Sequence, residues 1–376
     1  MDIAYVCTEK LPVPAARGGA IQTYIEAVAP RIAREHRVTV FGIADPDLPS
    51  LEDDGRLRYV RLLASDRKTY YKGVRQELSR GRFDLVQVFN RPKYVPMLRQ
   101  AAMTSRFVLS VHNDMFAPEK LSPAEALECI DAVEAIVAIS RFIAGKIASL
   151  YPSAAPKLRT IYSGVDWDRF APNEAPAPRD QLGLGDRPVV LYVGRLVDKK
   201  GAHILLQAMP AILARRPDAV LVVVGSKRYG RNETDKYVRS LLAYAWEHLP
   251  PGSVRFAGFV PPQRVHAYFQ TADVFVCPSQ WEEPLSRTVY EAMAAGVPIV
   301  TSSRGGLPEV VRTGENGIVV DDFADPAAYA AAVADLLTDP HRARRMGQRG
   351  RELARQLFAW DRVARDLLAL YAAAAS

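Results

Sequence analysis

The sequence predicts an α/β protein made of two doubly wound domains of similar size, and three observations point there. Short apolar runs alternate with amphipathic stretches along most of the chain. The alternation pauses once, in a segment rich in Pro, Asp and Gly, and then restarts. The length, 376 residues, is also more than one hydrophobic core usually organises.

Residues 3–7, 38–43, 85–89, 107–111 and 136–139 read as buried parallel strands, because they are apolar without the polar alternation of a half-exposed sheet. Between several of them lie amphipathic segments such as 21–33, spaced as a helix. Residues 170–188 form the pause and read as a linker. Beyond it, 189–193, 219–224, 254–256, 274–277 and 299–301 are the strand candidates, with helices at 202–215 and 264–271. The last segment, 360–371, repeats apolar residues at Trp360, Val363, Leu367 and Leu370, a stripe that needs a partner surface. In open sheets of this kind ligands bind at the carboxyl ends of the strands, so chemistry is sought just after them.

Composition narrows the function. Hydrophobic residues at 49% and charged residues at 24% describe a globular chain. No run of about 18 apolar residues occurs, and MDIAYVCTEKLP lacks the basic start of a secretory signal. Cys7, Cys129 and Cys277 are odd in number and far apart, which fits reduced thiols in a cytoplasmic protein. The net charge of +7 comes from arginines scattered through the chain, a solvated basic surface; aromatics do not interleave with them as in a nucleic-acid platform. The sequence has no GxGxxG, Walker A, HExxH, Gly-x-Ser-x-Gly or CxxC pattern.

Four places carry chemistry. Ala16-Arg17-Gly18-Gly19-Ala20 follows the first strand and leads into a helix, where glycines admit a ligand to the backbone and the helix start offers N–H groups to an anion; a plain turn fits equally well. Gly194-Arg195-Leu196-Val197-Asp198-Lys199-Lys200-Gly201 follows strand 189–193 and sets Arg195 and Lys200 beside a helix start, a suitable diphosphate clamp; a solvated charged loop is the other reading. SQWEEPLSRTVYEAMAAG follows strand 274–277. With Pro284 in a first turn and Gly296 as the stop, Glu283 is expected at the start of a helix and Glu291 two turns inside it, within about 80° of one face. The N–H groups of Leu285, Ser286 and Arg287 would then be donors to a phosphate, with Glu282 facing water. His112 follows strand 107–111, where a histidine can bind or relay a proton, although a lone histidine more often makes a structural hydrogen bond; Asp114 is placed to orient it or cap the next turn.

Taken together, these motifs resemble family 4 of the retaining glycosyltransferases, of GT-B fold, in the superfamily of glycogen synthase and the phosphatidylinositol mannosyltransferases. The resemblance covers nearly the whole chain. Its most specific part is Glu283, seven residues, Glu291; GRLVDKKG, AISRFIAGKI, IYSGVDWDRFAP, FAGFV, AMAAGVPIVTSSRGGLPEVV and NGIVV match in order and spacing. It implies an acceptor-binding domain over 1–170, a nucleotide-sugar domain over 186–357, a cleft where the two face each other, and a helix over 358–376 that returns to the first domain.

The resemblance also implies roles. Glu283 would hydrogen-bond the donor sugar and Glu291 the ribose, while Arg195 and Lys200 hold the diphosphate. Gly18 and Gly19 would bring backbone donors to the phosphates, and His112 would contact the sugar near the reacting carbon. The turn at Gly258, Phe259 and Val260 would present backbone to the base, and Gly194, Leu285, Ser286 and Arg287 complete the donor set. Leu285-Ser286 stands where the family often has Phe-Gly, and Ser163 where it has Asn. The implied reaction moves a sugar, UDP-linked, to an acceptor hydroxyl with retention, the leaving phosphate taking the acceptor's proton. No Asp-x-Asp metal motif stands in the segments 194–201 and 279–296 that carry the diphosphate clamp and the acidic pair, so neither metal nor other cofactor is expected. The alternatives are a noncatalytic sugar-binding or coat protein of this fold, a nucleotide-sugar epimerase or phosphorylase, and a nucleic-acid binder resting on charge alone. The acceptor, peripheral membrane contact and the choice between monomer and homodimer stay open; the Tyr70-Tyr71-Lys72 cluster, placed in a loop at 68–73, reads first as a packed loop and second as an acceptor contact.

Overall fold

The computed structural model describes residues 1–171, 178–228, 230 and 232–375. Two compact units emerge, one of Met1–Gly164 with Trp360–Ser376, the other of Val165–Ala359.

In the first unit the chain runs β1 (Asp2–Val6), α1 (Ala20–Ile32), β2 (Arg37–Ile43), β3 (Leu51–Asp53), β4 (Leu57–Leu62), α2 (Arg67–Arg80), β5 (Leu85–Phe89), α3 (Val95–Ala101), β6 (Arg106–Val111), α4 (Pro123–Asp131), β7 (Ala135–Ala138), α5 (Arg141–Leu150) and β8 (Leu158–Thr160). One sheet joins them in the order β3-β4-β2-β1-β5-β6-β7-β8. It is parallel except for the short edge pair β3–β4. Helix starts follow local chemistry. Asp66 and Ser140 cap α2 and α5 through their side chains, and Ser122 with Glu125 forms a capping box on α4 ahead of Pro123.

Strand β5 is buried along its whole length yet contains Gln87. That amide is satisfied: it donates to Ser110 Oγ at 2.5 Å and accepts from the Tyr371 hydroxyl, which also meets the Tyr5 hydroxyl at 2.8 Å. The expected loop at 68–73 is instead part of α2. Tyr70 and Tyr71 are fully buried there, and the Tyr70 hydroxyl donates to the carbonyls of Cys7 (3.1 Å) and Phe41 (2.9 Å). They pack the unit rather than offer a surface.

In the second unit the chain runs β9 (Val189–Val193), α6 (Ala202–Arg215), β10 (Val220–Val224), α7 (Lys236–His248), β11 (Val254–Gly258), α8 (Val265–Phe269), β12 (Val274–Cys277), α9 (Arg287–Ala295), β13 (Ile299–Ser302), β14 (Gly317–Val320), α10 (Pro326–Thr338) and α11 (Pro340–Leu357). The sheet is parallel, in the order β11-β10-β9-β12-β13-β14. Its direction of growth therefore reverses between β9 and β12, the position where ligands of such sheets sit. The segment read as a linker is only partly so. Leu184 is buried against this unit, and the Arg179 guanidinium donates to the carbonyls of Gly185 (2.7 Å), Arg187 (3.1 Å) and Thr271 (3.0 Å). Residues 172–177 of that segment lie outside the described residues.

The last helix, α12 (Trp360–Ala375), belongs to the first unit and packs on α1. Its buried stripe is Trp360, Val363, Leu367 and Tyr371. Leu370, read as part of the stripe, is only half-buried; the helical turn brings Tyr371 inward instead. Trp360 fits tightly, since a Cβ on Gly164 would come within 2.5 Å of its ring. Among the described residues no helix is long and apolar enough to cross a membrane.

Replacing the fully buried Leu367 by Ala is expected to cost the first unit about 2–5 kcal/mol, whereas Leu370→Ala costs less than about 1 kcal/mol. Urea unfolding followed by near-UV circular dichroism compares the two; equal losses would contradict the packing of α12.

Candidate active site

In the second unit the loops after β9 and β12, the two strands flanking the reversal, carry the charged residues that the sequence singled out. The first loop starts at Gly194. Arg195 is half-buried, and its carbonyl accepts from the Tyr192 hydroxyl at 3.0 Å. Burial drives that phenol well above its ordinary range; Glu283 adds to the effect and Arg195 opposes it, so both charges are within reach of Tyr192.

A short 3-10 turn, Asp198–Lys200, then presents Lys200. Gly201 ends the turn at φ 74°, where a Cβ would lie 1.8 Å from the Pro278 carbonyl. Only glycine permits that approach, which binds the β9 loop to the β12 loop. The Gln280 N–H donates to the Lys199 carbonyl at 2.9 Å across the same seam.

Glu283 is 5% exposed and takes three donors on a single oxygen, Oε2: Lys200 Nζ at 2.5 Å, Trp281 Nε1 at 2.8 Å and Ser279 Oγ at 3.0 Å. Burial by itself would raise its carboxyl. The Lys200 charge and the three hydrogen bonds outweigh burial and hold it below the usual value of 4.5. A second glycine, Gly305 at φ 63°, secures the backbone here: its Cβ would sit 2.0 Å from the Glu283 carbonyl, which accepts from Gly306 N–H at 2.8 Å. Lys199 lies over the Trp281 ring at 3.7 Å.

The expected helical geometry is corrected in one respect. Helix α9 begins at Arg287, with Ser286 as its N-cap residue, so Glu283 and Pro284 stand in the preceding loop. Glu283 and Glu291 therefore do not share a helical face. Residues 278–286 form an irregular loop with bends at Trp281 and Pro284. Glu282 is exposed. Ser286, in place of a glycine, does not cap α9 with its side chain; the hydroxyl meets Thr288 Oγ1 at 2.8 Å. Arg287 Nη2 donates to Glu291 Oε1 at 3.0 Å, while Arg287 Nη1 is buried without a hydrogen-bond partner among the described residues. Gly296, at φ 73°, ends the helix. At the turn after β11, the Phe259 N–H donates to Asn232 Oδ1 at 2.6 Å; Phe259 and Val260 are both half-buried. Cys277, at the end of β12, is pushed up to about 11 by burial, which makes it a neutral thiol.

The first unit holds the other expected residues, each after a strand. Gly18 and Gly19 take φ of 81° and 104°, and Gly19 is the N-cap residue of α1. His112 N–H donates to Asn90 Oδ1 at 2.6 Å, and its ring packs edge-on to Tyr24 at 4.9 Å. Burial lowers its pKa to about 4, so the imidazole is neutral at pH 7. Asp114 does not orient it: the carboxylate pairs with Lys146 at 2.6 Å.

Sequence reasoning missed three features. Ser279 and Trp281, four and two residues before Glu283, were visible only as neighbours of the motif. In the first unit, Arg91 clasps Glu9 with two hydrogen bonds of 2.9 and 2.8 Å. The two residues follow β5 and β1, the strands at that sheet's own reversal. Asn90 beside them has φ 54°, unusual for a residue other than glycine. Among the described residues no group of three His, Cys, Asp or Glu side chains is arranged to hold a metal ion.

Comparison with known proteins identifies the family. The model of Glycosyltransferase Family 4 matches residues 18–169, and that of Glycosyl transferases group 1 matches residues 175–353. Spore coat protein SA of Bacillus subtilis is 48% identical over 99% of both chains. The GDP-mannose-dependent alpha-(1-6)-phosphatidylinositol monomannoside mannosyltransferase of Mycolicibacterium smegmatis is 35% identical over 92% of this chain and 93% of that one. Among solved structures, Anabaena Alr3699/HepE in complex with UDP superposes with a TM-score of 0.80 at 20% identity, over 99% of this chain and 100% of that one. Two parallel-sheet units, the motif pair around Glu283 and these relatives converge on one assignment: the chain belongs to glycosyltransferase family 4 and is a glycosyltransferase of GT-B type.

Proposed function

We propose that this glycosyltransferase moves a hexose from UDP to an acceptor hydroxyl, with retention at the anomeric carbon, in the synthesis of a cell-surface or spore-coat glycoconjugate. The observation that carries the reading is the Lys200–Glu283 pair at the strand-order reversal of the second unit: a buried carboxylate to grip sugar hydroxyls, held beside a cation suited to phosphate.

Arg195 and Lys200 take the diphosphate together with the first N–H groups of α9. Two features favour that seat. No side chain caps α9, and Arg287 Nη1 is a buried donor without a partner. Glu291 takes the ribose; its ion pair with Arg287 holds it in place. The backbone at Phe259 and Val260 takes the base, with Gly194, Leu285 and Ser286 lining the donor. In the first unit the reading assigns phosphate contact to Gly18 and Gly19, and sugar contact to a neutral His112.

As the sugar–phosphate bond breaks, charge grows on the leaving diphosphate, and fixed cations stabilise that charge more than they stabilise the ground state. The acceptor's proton passes to a departing phosphate oxygen, which leaves Glu283 free of acid–base duty. Arg195, Lys200 and Arg287 supply the positive charge in this scheme, so no metal ion is required.

A panel of UDP-, GDP- and ADP-sugars in thermal-shift and donor-hydrolysis assays tests the reading. GDP-mannose belongs in it because the mycobacterial relative is GDP-mannose-dependent. Thermal stabilisation and turnover with a UDP-hexose are expected, unchanged by EDTA; no turnover with any donor would overturn the reading. Glu283→Gln, Arg195→Ala and Lys200→Ala are each expected to lower turnover at least about tenfold, or ~1.4 kcal/mol of barrier. Because removing Lys200 leaves a buried carboxylate unpaired, its variants are compared at matched folded fraction.

The pH dependence has a definite sign. Glu283 stays ionised below its ordinary 4.5, so the acid limb of kcat/KM is expected below that value. In Lys200→Met burial prevails, the carboxyl rises, and the limb moves to higher pH. A limb that stays in place would show that Glu283 does not govern it.

A further inference from the structure

The three donors on Glu283 all meet Oε2, and among the described residues no donor reaches Oε1. One donor is the diphosphate-binding candidate Lys200, and another is the hydroxyl of Ser279. The third is the indole N–H of Trp281, which the donor-site reading leaves without a task. Trp281 is itself held. It is half-buried, and Lys199 caps one face of its ring at 3.7 Å.

We infer that Trp281 is a positioning residue for sugar recognition: its N–H fixes the rotation of the Glu283 carboxylate so that Oε2 belongs to the protein and Oε1 alone is offered to a donor-sugar hydroxyl. A carboxylate has about four lone-pair directions. With three donors at one oxygen, that oxygen has no room for a ligand, and rotation about the last side-chain bond would break three hydrogen bonds together. The adjacent lysines therefore act on one group by two routes. Lys200 binds Oε2 directly, whereas Lys199 holds the ring that binds it. Phe in place of Trp281 keeps a ring for Lys199 and removes only the N–H, so the substitution isolates the positioning bond. This inference rests on the reading of Glu283 as the sugar ligand.

The experiment uses Trp281→Phe, Glu283→Gln and the double variant with the donor selected by the panel above. Donor hydrolysis gives kcat/KM, and calorimetry gives the Kd of the matching nucleoside diphosphate, which lacks the sugar and also reports a folded site. Loss of a hydrogen bond to a charged group is expected to lower kcat/KM roughly tenfold in Trp281→Phe, with the nucleoside diphosphate Kd changed less than about twofold. The double variant is expected to be no worse than Glu283→Gln alone, because the indole acts through that carboxylate. Ser279→Ala, which removes another Oε2 donor, is expected to fall in the same direction. Wild-type kinetics in Trp281→Phe, multiplying losses in the double variant, or an equal loss of nucleoside diphosphate affinity would each overturn the inference while leaving the site reading intact. Unchanged kinetics in Glu283→Gln would overturn that reading, and the inference with it.

Discussion

A carboxylate taken out of water must find a cation or give up its charge, and in this protein Glu283 depends on Lys200 for that. Much of the surrounding architecture serves to keep the two together. Gly201 lets the β9 loop press against the Pro278 carbonyl, and Gly305 lets the chain beyond β13 press against the Glu283 backbone. Neither approach tolerates a Cβ. The result is a rigid charged pair on loops, built where a flexible pair would lose much of its strength to side-chain entropy.

Strand order explains why the pair lies where it does. When a parallel sheet grows outward from β9 in one direction and from β12 in the other, the two following loops diverge to opposite faces and leave a notch at their carboxyl ends. The first unit repeats the device with different chemistry. At its reversal, between β1 and β5, the Glu9–Arg91 pair occupies the equivalent notch, with Asn90 in a left-handed backbone conformation beside it. Glu9 is lowered against the pull of burial, as Glu283 is. Both units thus place a compensated acid at the point where their topology turns.

The long apolar strands and amphipathic helices were legible because burial on both faces of a parallel sheet leaves little freedom in composition. Short or polar strands were not. Leu51–Asp53 has no hydrophobic pattern of its own and exists because β4 gives it an edge to pair with. The start of α9 was placed too early because Pro284 suits a first helical turn; clamping of Glu283 by Gly305 and Gly306 is a tertiary contact that local propensity does not contain. The site residues could be named from spacing, but not the way Glu283 is held. That three donors share one oxygen follows from side-chain rotation, and Trp281 carried no signal beyond its nearness to the motif. Tyr70 and Tyr71 read as a packed loop rather than a helix because their helix is otherwise strongly polar, with buried residues confined to one stripe.

Helix α12 also bears on how the protein comes into being. The second unit is continuous in sequence, whereas the first is completed by residues that leave the ribosome after it. During synthesis the sheet of the first unit must therefore wait with the α1 flank and the Gln87 amide uncovered until Trp360 and Tyr371 arrive. The later-encoded unit can reach its native packing first, and the nascent chain carries an unfinished core through the whole of that interval.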